Sequence, residues 1–177
     1  MELRAINVLD LINYLAGGVL TPGELASHLD GLHVPPANLF PLTLEQFGEI
    51  QEAENDIAAL NVLRGLENRV TVSWDTPAAE YLHDLAALRG GCAAVKAAFD
   101  KIPRPALSGL ERAAGYGGSD GFGLFGIVDL LARRQGLTDE EAKKITIGNA
   151  IGKLTIDATA AARERRLLDM QRNRRAK

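Results

Sequence analysis

The sequence predicts a mainly α-helical protein, a helical bundle with one short strand or hairpin near residues 69–75 and a long C-terminal helix. Apolar residues recur at helical spacing over most of the 177 residues. Capping residues precede several of these runs, and only residues 70–74 alternate as a strand does. With 46% hydrophobic residues, the chain has enough apolar side chains to bury a core.

The first two helices are predicted from apolar spacing and capping signals. Apolar residues at three-residue steps predict a helix over residues 3–15, which Gly17 ends. The Thr-Pro-Gly-Glu of residues 21–24 has an N-cap, a proline at the first helical position and a glutamate that reaches back to the cap. It predicts a short helix that stops at Gly31. Three prolines within residues 33–42 then predict an extended connection.

Two amphipathic helices follow this connection. A second capping sequence at Thr43 opens a helix that is predicted to reach Ala53. Asn55 or Asp56 begins the next helix, which carries apolar residues as far as Leu63.

The strand prediction depends on three apolar residues. Val70, Val72 and Trp74 alternate with polar residues and would form one apolar face. A strand without a neighbouring strand leaves its backbone N–H and C=O groups without hydrogen-bond partners. The segment is therefore expected to pair with the proline-rich connection, with another subunit or with a partner protein.

The middle of the chain is predicted to hold two more helices and a lobe boundary. One helix begins after Thr76-Pro77 and ends at Gly90-Gly91, and residues 92–102 form the next. Pro103-Arg104-Pro105 then interrupts the helical pattern. We therefore expect an N-terminal helical lobe over residues 1–102 and a C-terminal lobe over residues 106–177.

The C-terminal lobe is predicted to begin with a short helix near residues 107–114 and a glycine-rich joint. Gly117, Gly118 and Gly121 are the candidate hinge residues. A helix over residues 122–135, a capped turn at 138–141 and a final helix from Thr146 to about Arg174 complete the lobe. At 1.5 Å per residue, the final helix would be about 40 Å long.

Two stretches resemble phosphate-binding loops. Gly121 to Gly126 spells G-x-G-x-x-G, but no strand precedes it to deliver the loop to a pyrophosphate. We interpret Gly123 and Gly126 as a close-packing face of a helix instead. Residues 148–155 nearly spell a P-loop, but they are one residue short between the glycines and lie within a helical pattern.

The sequence offers no constellation for catalysis, a cofactor or a metal, and we predict a non-enzymatic protein. Cys92 lies in an alanine-rich apolar run typical of an inert core thiol. The three histidines lack ligand spacing. Glu45, Glu49 and Glu52 share a helix face without the Glu-x-x-His of carboxylate-bridged metal sites, and the four serines lack nucleophile motifs.

Charge is distributed unevenly over the chain. The net charge is −3, but residues 163–177 carry seven basic and two acidic residues, a balance of +5 that leaves −8 on residues 1–162. Such a basic end can contact nucleic-acid phosphates or an acidic protein surface. The chain also lacks an apolar run long enough to cross a bilayer, so we expect no membrane association.

Parts of the chain resemble small helical proteins of tailed bacteriophages, in the class of tail assembly chaperones and virion components. The resemblance rests on PLTLEQFGEIQEAE, AALNVLRGL and the segment from FGLFGIVDLLARRQGL to ERRLLDM, about half of the chain. It implies a protein that binds other phage structural or tail proteins, as a homo-oligomer or hetero-complex. It also implies a location in the host cytoplasm during assembly, or in the virion.

The first functional hypothesis is therefore a protein-binding component of a phage particle or of tail assembly. The candidate contact residues are Val70, Val72, Trp74, Arg165, Arg166, Arg172, Arg174 and Arg175. The alternative is a nucleic-acid-associated regulator that uses a helix-turn-helix-like segment, residues 125–154, and the basic C-terminal tail for non-specific phosphate contact. Against it, the second helix of that segment begins with Asp139-Glu140-Glu141, which phosphates would repel.

Overall fold

The computed structural model describes residues 6–18, 21, 24, 33–103 and 123–175, with side chains as far as Gln171. These residues form seven α-helices and no β-sheet, which confirms the mainly helical class. The helices are α1 (Val8–Ala16), α2 (Leu44–Gln51), α3 (Asp56–Leu66), α4 (Ala78–Asp100), α5 (Gly123–Gln135), α6 (Asp139–Lys143) and α7 (Ile147–Arg175).

The chain divides into two compact units. The first unit comprises Met1–Leu39 and Gln46–Val95, and the second comprises Phe40–Glu45 and Lys96–Lys177. The lobe boundary expected at residues 103–105 stays a prediction, because residues 104–122 lie outside the described part of the chain.

Helix α1 begins later than predicted and turns a different face inward. Asn7 caps it: its side-chain oxygen accepts from the Asp10 N–H at 2.9 Å, and the Asp10 carboxylate accepts from the Asn7 N–H. The cap sets the phase of the helix, so that Val8 and Leu11 are buried. Leu9, on the face that the three-residue spacing predicted to be apolar, is 46% exposed.

The prediction of a strand near residues 69–75 is wrong, because the structure has turns and irregular backbone there. The backbone carbonyls of Thr76 and Trp74 do accept hydrogen bonds, but from a helix and not from a second strand. The donors are the N–H groups of Val8 and Leu9 in the first turn of α1. These helix-end donors have no partner within their own helix, so the 74–76 turn satisfies them. Elsewhere in the segment, side chains make several of the backbone hydrogen bonds that a neighbouring strand would otherwise make.

Helix α4 runs through Gly90 and Gly91, where two separate helices were predicted. A Cβ on Gly91 would lie 2.6 Å from the Ala37 carbonyl oxygen and 3.0 Å from the Leu39 side chain. The Ala37 N–H in turn donates to the Ala87 carbonyl at 2.9 Å. The glycines therefore leave room for the extended 33–39 segment to cross the helix, and they do not end it.

In the second unit, residues 40–45 lie beside the start of α7. The Leu44 N–H donates to the Ile145 carbonyl at 3.0 Å, and the Ile147 N–H donates to the Leu42 carbonyl at 2.9 Å. Thr138 and Glu141 form the predicted capping box of α6. The long C-terminal helix is confirmed as α7, whose 29 residues span about 40 Å.

Apolar side chains fill a core in each unit. The first core consists of Val8, Leu11, Leu39, Phe47, Ile50, Ala59, Leu60, Leu63, Val72, Ala78, Tyr81, Leu82, Leu85, Leu88 and Val95. The second consists of Leu44, Val128, Leu131, Ala132, Ala142, Ile147, Ala150 and Leu154. Within the described helices, none is both long and apolar enough to span a bilayer.

Several predictions fall outside the described residues. They are the body of the helix over residues 21–31, the helix near 107–114 and the hinge at Gly117, Gly118 and Gly121. Thr21 and Glu24 are described, and they make the predicted capping contacts, with the Thr21 N–H donating to the Glu24 carboxylate at 2.8 Å.

Substitution of Gly91 tests the crossing of α4 by the 33–39 segment. We expect Gly91→Ala to lower the free energy of unfolding by about 1 to 3 kcal/mol, because the new methyl group meets a backbone carbonyl. Gly65→Ala is the matched control in α3, where no described atom lies within 4 Å; there we expect a gain of about 0.5 kcal/mol. Urea unfolding followed by circular dichroism measures both, and equal effects would contradict the prediction.

Candidate functional site

A buried arginine organises the polar centre of the first unit. Arg64, on α3, is only 3% exposed. Its Nε donates to Asp84 Oδ2 at 2.9 Å, its Nη2 donates to Glu80 Oε1 at 2.8 Å, and its Nη1 donates to the Val70 carbonyl at 3.1 Å. One guanidinium therefore joins α3, two carboxylates of α4 and the connection between the helices.

Asp84 is the acceptor that this centre shares. It is 8% exposed, and Arg69 Nη2 donates to the same Oδ2 atom at 2.8 Å. Burial by itself would raise the pKa of Asp84, but hydrogen bonds from Arg64 and His83 and the charges of Arg64 and Arg69 outweigh burial and lower it. The carboxylate is therefore held in its charged form between two guanidinium groups.

The connection from α3 to α4 is fixed by further side-chain contacts. Asn68 has a φ of 55°, a left-handed conformation that asparagine adopts more readily than most residues. The Val72 N–H donates to Asn61 Oδ1 at 2.6 Å, and the Ser73 N–H donates to Thr76 Oγ1 at 2.9 Å. These contacts bury Val72 and hold the backbone on either side of Trp74.

Trp74 borders an open apolar groove. This residue, the only tryptophan of the chain, is 56% exposed. The cavity beside it has a volume of about 510 Å³. Its lining consists of Ile12, Ile57, Ala58, Trp74 and Tyr81, with Asn55, Asp56 and Asn61 supplying polar atoms.

Acidic residues line the groove or adjoin its lining residues in the sequence. Asp56 lies on its rim and accepts from Arg89 Nη2 at 3.0 Å. Glu54 and Asp75 are exposed and adjoin the lining residues Asn55 and Trp74 in the chain. Residues 46–95 carry eight acidic and three basic residues, a balance of −5. The groove therefore combines an apolar floor with Asp56 on its rim and two exposed carboxylates adjoining its lining residues, together called its acidic surround.

The end of α7 is a second exposed surface, in the second unit. Every described residue from Arg163 to Gln171 is exposed. Leu167 and Met170 are 57% and 55% exposed, and Arg163 lies one turn before Leu167 on the same helix face. This face thus carries one basic side chain followed by two apolar ones.

The structure separates the predicted contact residues. Val70 is 85% exposed and Trp74 is exposed, but Val72 is 6% exposed and so unavailable to a partner. Arg165 and Arg166 lie on the exposed end of α7. Arg172, Arg174 and Arg175 continue that helix beyond the described side chains.

Sequence reasoning missed the arginine centre and most of the groove. Arg64 follows Leu63 at the buried edge of an amphipathic helix, and Asp84 interrupts the apolar run of α4. A charged residue on an apolar face is a usable signal, because burial of a charge requires a partner of opposite sign. Arg64 and Asp84 are 20 residues apart in the sequence, so no local pattern predicts that they pair with each other.

Other motifs carry no assembled chemistry in the part of the chain that the structure describes. Residues 148–155, the near P-loop, lie inside α7, and its first amides already have acceptors: the Gly148 N–H donates to the Phe40 carbonyl at 3.0 Å and the Asn149 N–H donates to Thr146 Oγ1 at 3.4 Å. Gly123 begins α5 with a φ of 49°, and no described atom lies within 4 Å of a Cβ placed there; the close-packing face expected of Gly123 and Gly126 stays a prediction. Within the same residues, no cluster of three histidine, cysteine or acidic side chains has the arrangement of a metal site.

Comparison with known proteins gives no relative for this chain. No protein-family model, curated protein or solved structure is significantly similar to it.

Removal of the central guanidinium is expected to destabilise the first unit strongly. Arg64→Met should lower the free energy of unfolding by about 3 kcal/mol, because it leaves the Asp84 carboxylate buried with the partly exposed Arg69 and His83 as its remaining partners. The matched control is Arg89→Ala, which breaks the exposed pair with Asp56 and should cost about 0.5 kcal/mol. Denaturant unfolding compares the two, and a cost for Arg64→Met as small as that of the control would contradict the central role.

The lowered pKa of Asp84 predicts an acid-sensitive stability. Its contribution is complete above the ordinary aspartate pKa of 3.8 and is lost as the pH falls from there through the lower pKa of the folded state. We therefore expect stability to fall less steeply below about pH 4 in Asp84→Asn than in the original chain. Urea midpoints measured from pH 5 to pH 2 test this expectation, and parallel curves would contradict it.

Proposed function

We propose that this chain is a non-enzymatic, protein-binding component of a phage particle or of phage tail assembly. The binding role is supported by one observation above the others: an exposed tryptophan beside an apolar groove, in a connection whose Val70 carbonyl accepts from the buried Arg64. The phage setting is supported by the resemblance of the helical segments to small phage proteins.

Energetics favour the groove as a binding surface. Tryptophan is enriched among residues that dominate binding energy, because it buries a large area with few rotatable bonds. Because Trp74 is 56% exposed in the free chain, a bound partner would bury apolar area that the chain by itself leaves in water. The fixed backbone around Trp74 also lowers the ordering cost of binding.

The shape of the groove suits a helix or an extended segment from another protein. Its apolar floor includes Ile12, Trp74 and Tyr81, and these belong to α1, the connection before α4, and α4 itself. Surfaces of this kind bind the apolar face of an amphipathic helix through side chains three or four residues apart. The acidic surround favours a partner with basic residues beside those apolar side chains.

The arginine-rich end of α7 supports the second candidate, contact with nucleic-acid phosphates. Arg163 and Arg166 are exposed there. The helix-turn-helix-like segment gives this candidate less support, since α6 has five residues and its first turn carries Asp139, Glu140 and Glu141. DNA binding that weakens with salt and disappears after truncation at Leu168 would favour it; binding indifferent to salt would oppose it.

Trp74→Ala is expected to weaken partner binding strongly without unfolding the chain. Loss of a tryptophan at the centre of an interface costs about 2 kcal/mol or more, roughly a thirtyfold loss of affinity. The measurement is co-expression with the products of neighbouring reading frames, followed by size-exclusion chromatography with light scattering. Because Trp74 is the only tryptophan, its emission should also shift to shorter wavelength in the complex.

Phe125→Ala is the control for this prediction. Phe125 is also a large exposed aromatic residue, at 70% exposure, but it lies on α5 in the second unit. It should leave complex formation unchanged. A chain that remains monomeric with every co-expressed protein, with unaltered Trp74 emission, would contradict a protein-binding function.

A further inference from the structure

We infer that the groove beside Trp74 binds the exposed end of α7 from a second copy of this chain. The inference rests on the proposed protein-binding function and names the partner of the same groove. It is carried by the match between the two surfaces in apolar spacing and in charge.

The end of α7 carries a face suited to insertion in a groove. Ile156, Ala160, Arg163, Leu167 and Met170 follow one another at spacings of four, three, four and three residues, and all are exposed. Such spacing keeps side chains on one side of a helix. Leu167 and Met170 are therefore neighbouring apolar side chains one turn apart, with no described residue covering them.

The charges of the two surfaces are opposite. Residues 163–177 carry a balance of +5, whereas residues 46–95, which hold most of the groove, carry −5. Among the described residues, no cation pairs with Glu54 or Asp75, which adjoin the groove. Arg163 lies one turn before Leu167, and Arg166 directly precedes it. An inserted Leu167 would thus bring guanidinium groups to unpaired carboxylates.

A contact between two different surfaces of one chain can be tested by complementation. A groove variant, Trp74→Ala, keeps an intact α7 end, and a tail variant, Leu167→Glu with Met170→Glu, keeps an intact groove. We expect the original chain to form species larger than a monomer in light scattering. Each variant alone should associate at least about tenfold more weakly, as expected for loss of a central apolar contact.

An equimolar mixture of the two variants should restore association. The groove of the tail variant then meets the α7 end of the groove variant, giving a one-to-one complex. Only the tail variant contributes a tryptophan to the mixture, so a shift of its emission on mixing places the contact at the groove. A symmetric pairing of two α7 helices would not be restored in this way.

Controls separate folding from association. Circular dichroism verifies each variant, and Ile12→Lys replaces Trp74→Ala if the latter does not fold, because Ile12 lines the same groove and is 36% exposed. Phe125→Ala should associate as the original chain does. Glu54→Lys with Asp75→Lys should weaken association severalfold.

Four results would overturn the inference. They are a monomeric original chain at all concentrations, a mixture that does not associate, charge reversal without effect, and a tail variant that alters Trp74 emission in a concentration-independent monomer. The last would place the chain's own α7 end in the groove. A monomer that still forms a Trp74-dependent complex with another protein would overturn this inference alone and leave the proposed function standing.

Discussion

The buried guanidinium of Arg64 is the contact on which the first unit depends. An arginine that is 3% exposed needs acceptors for its charge and its donors, and it finds them on α4 and on the connection that precedes α4. The two helices are thereby linked in one arrangement, because a shifted α4 would leave Arg64 and Asp84 buried without each other. The Val70 carbonyl ties the connection into the same arrangement.

The hydrogen bond from Arg64 to the Val70 carbonyl is one of several contacts that fix the backbone around the exposed Trp74. Apolar side chains move toward a core where the backbone allows it, since burial of a residue the size of tryptophan is strongly favourable. Around Trp74 the backbone is held on both sides: Val70 binds Arg64, Val72 binds Asn61, and the Trp74 carbonyl accepts from the first turn of α1. Polar contacts thus fix an apolar surface in a form that another molecule can use.

Local patterns predicted most helices and failed where distant residues decide the structure. The capping sequences at Asn55 and Thr138 placed α3 and α6 correctly, because a cap is determined within four residues. The alternation of Val70, Val72 and Trp74 predicted a strand, yet side chains of α3 and the end of α1 take its hydrogen bonds. The Gly90-Gly91 pair predicted the end of a helix, but it lies within α4 and leaves room for residues 33–39 to cross that helix. Trp74 alone was predicted among the groove residues, since the groove is assembled from segments that are distant in the sequence.

A contact between the groove and the end of α7 would have consequences for assembly. The two surfaces differ, so the contact is heterologous, and each bound copy still offers one free groove or one free helix end unless the chain of contacts closes. Unlike a self-complementary patch, such a contact extends into rings or filaments. Alternation of negative grooves with positive helix ends also offsets opposite charges at every junction, within a chain of net charge −3. In such an assembly, the uneven distribution of charge along the sequence and the exposed tryptophan would serve one property, the capacity to associate head to tail.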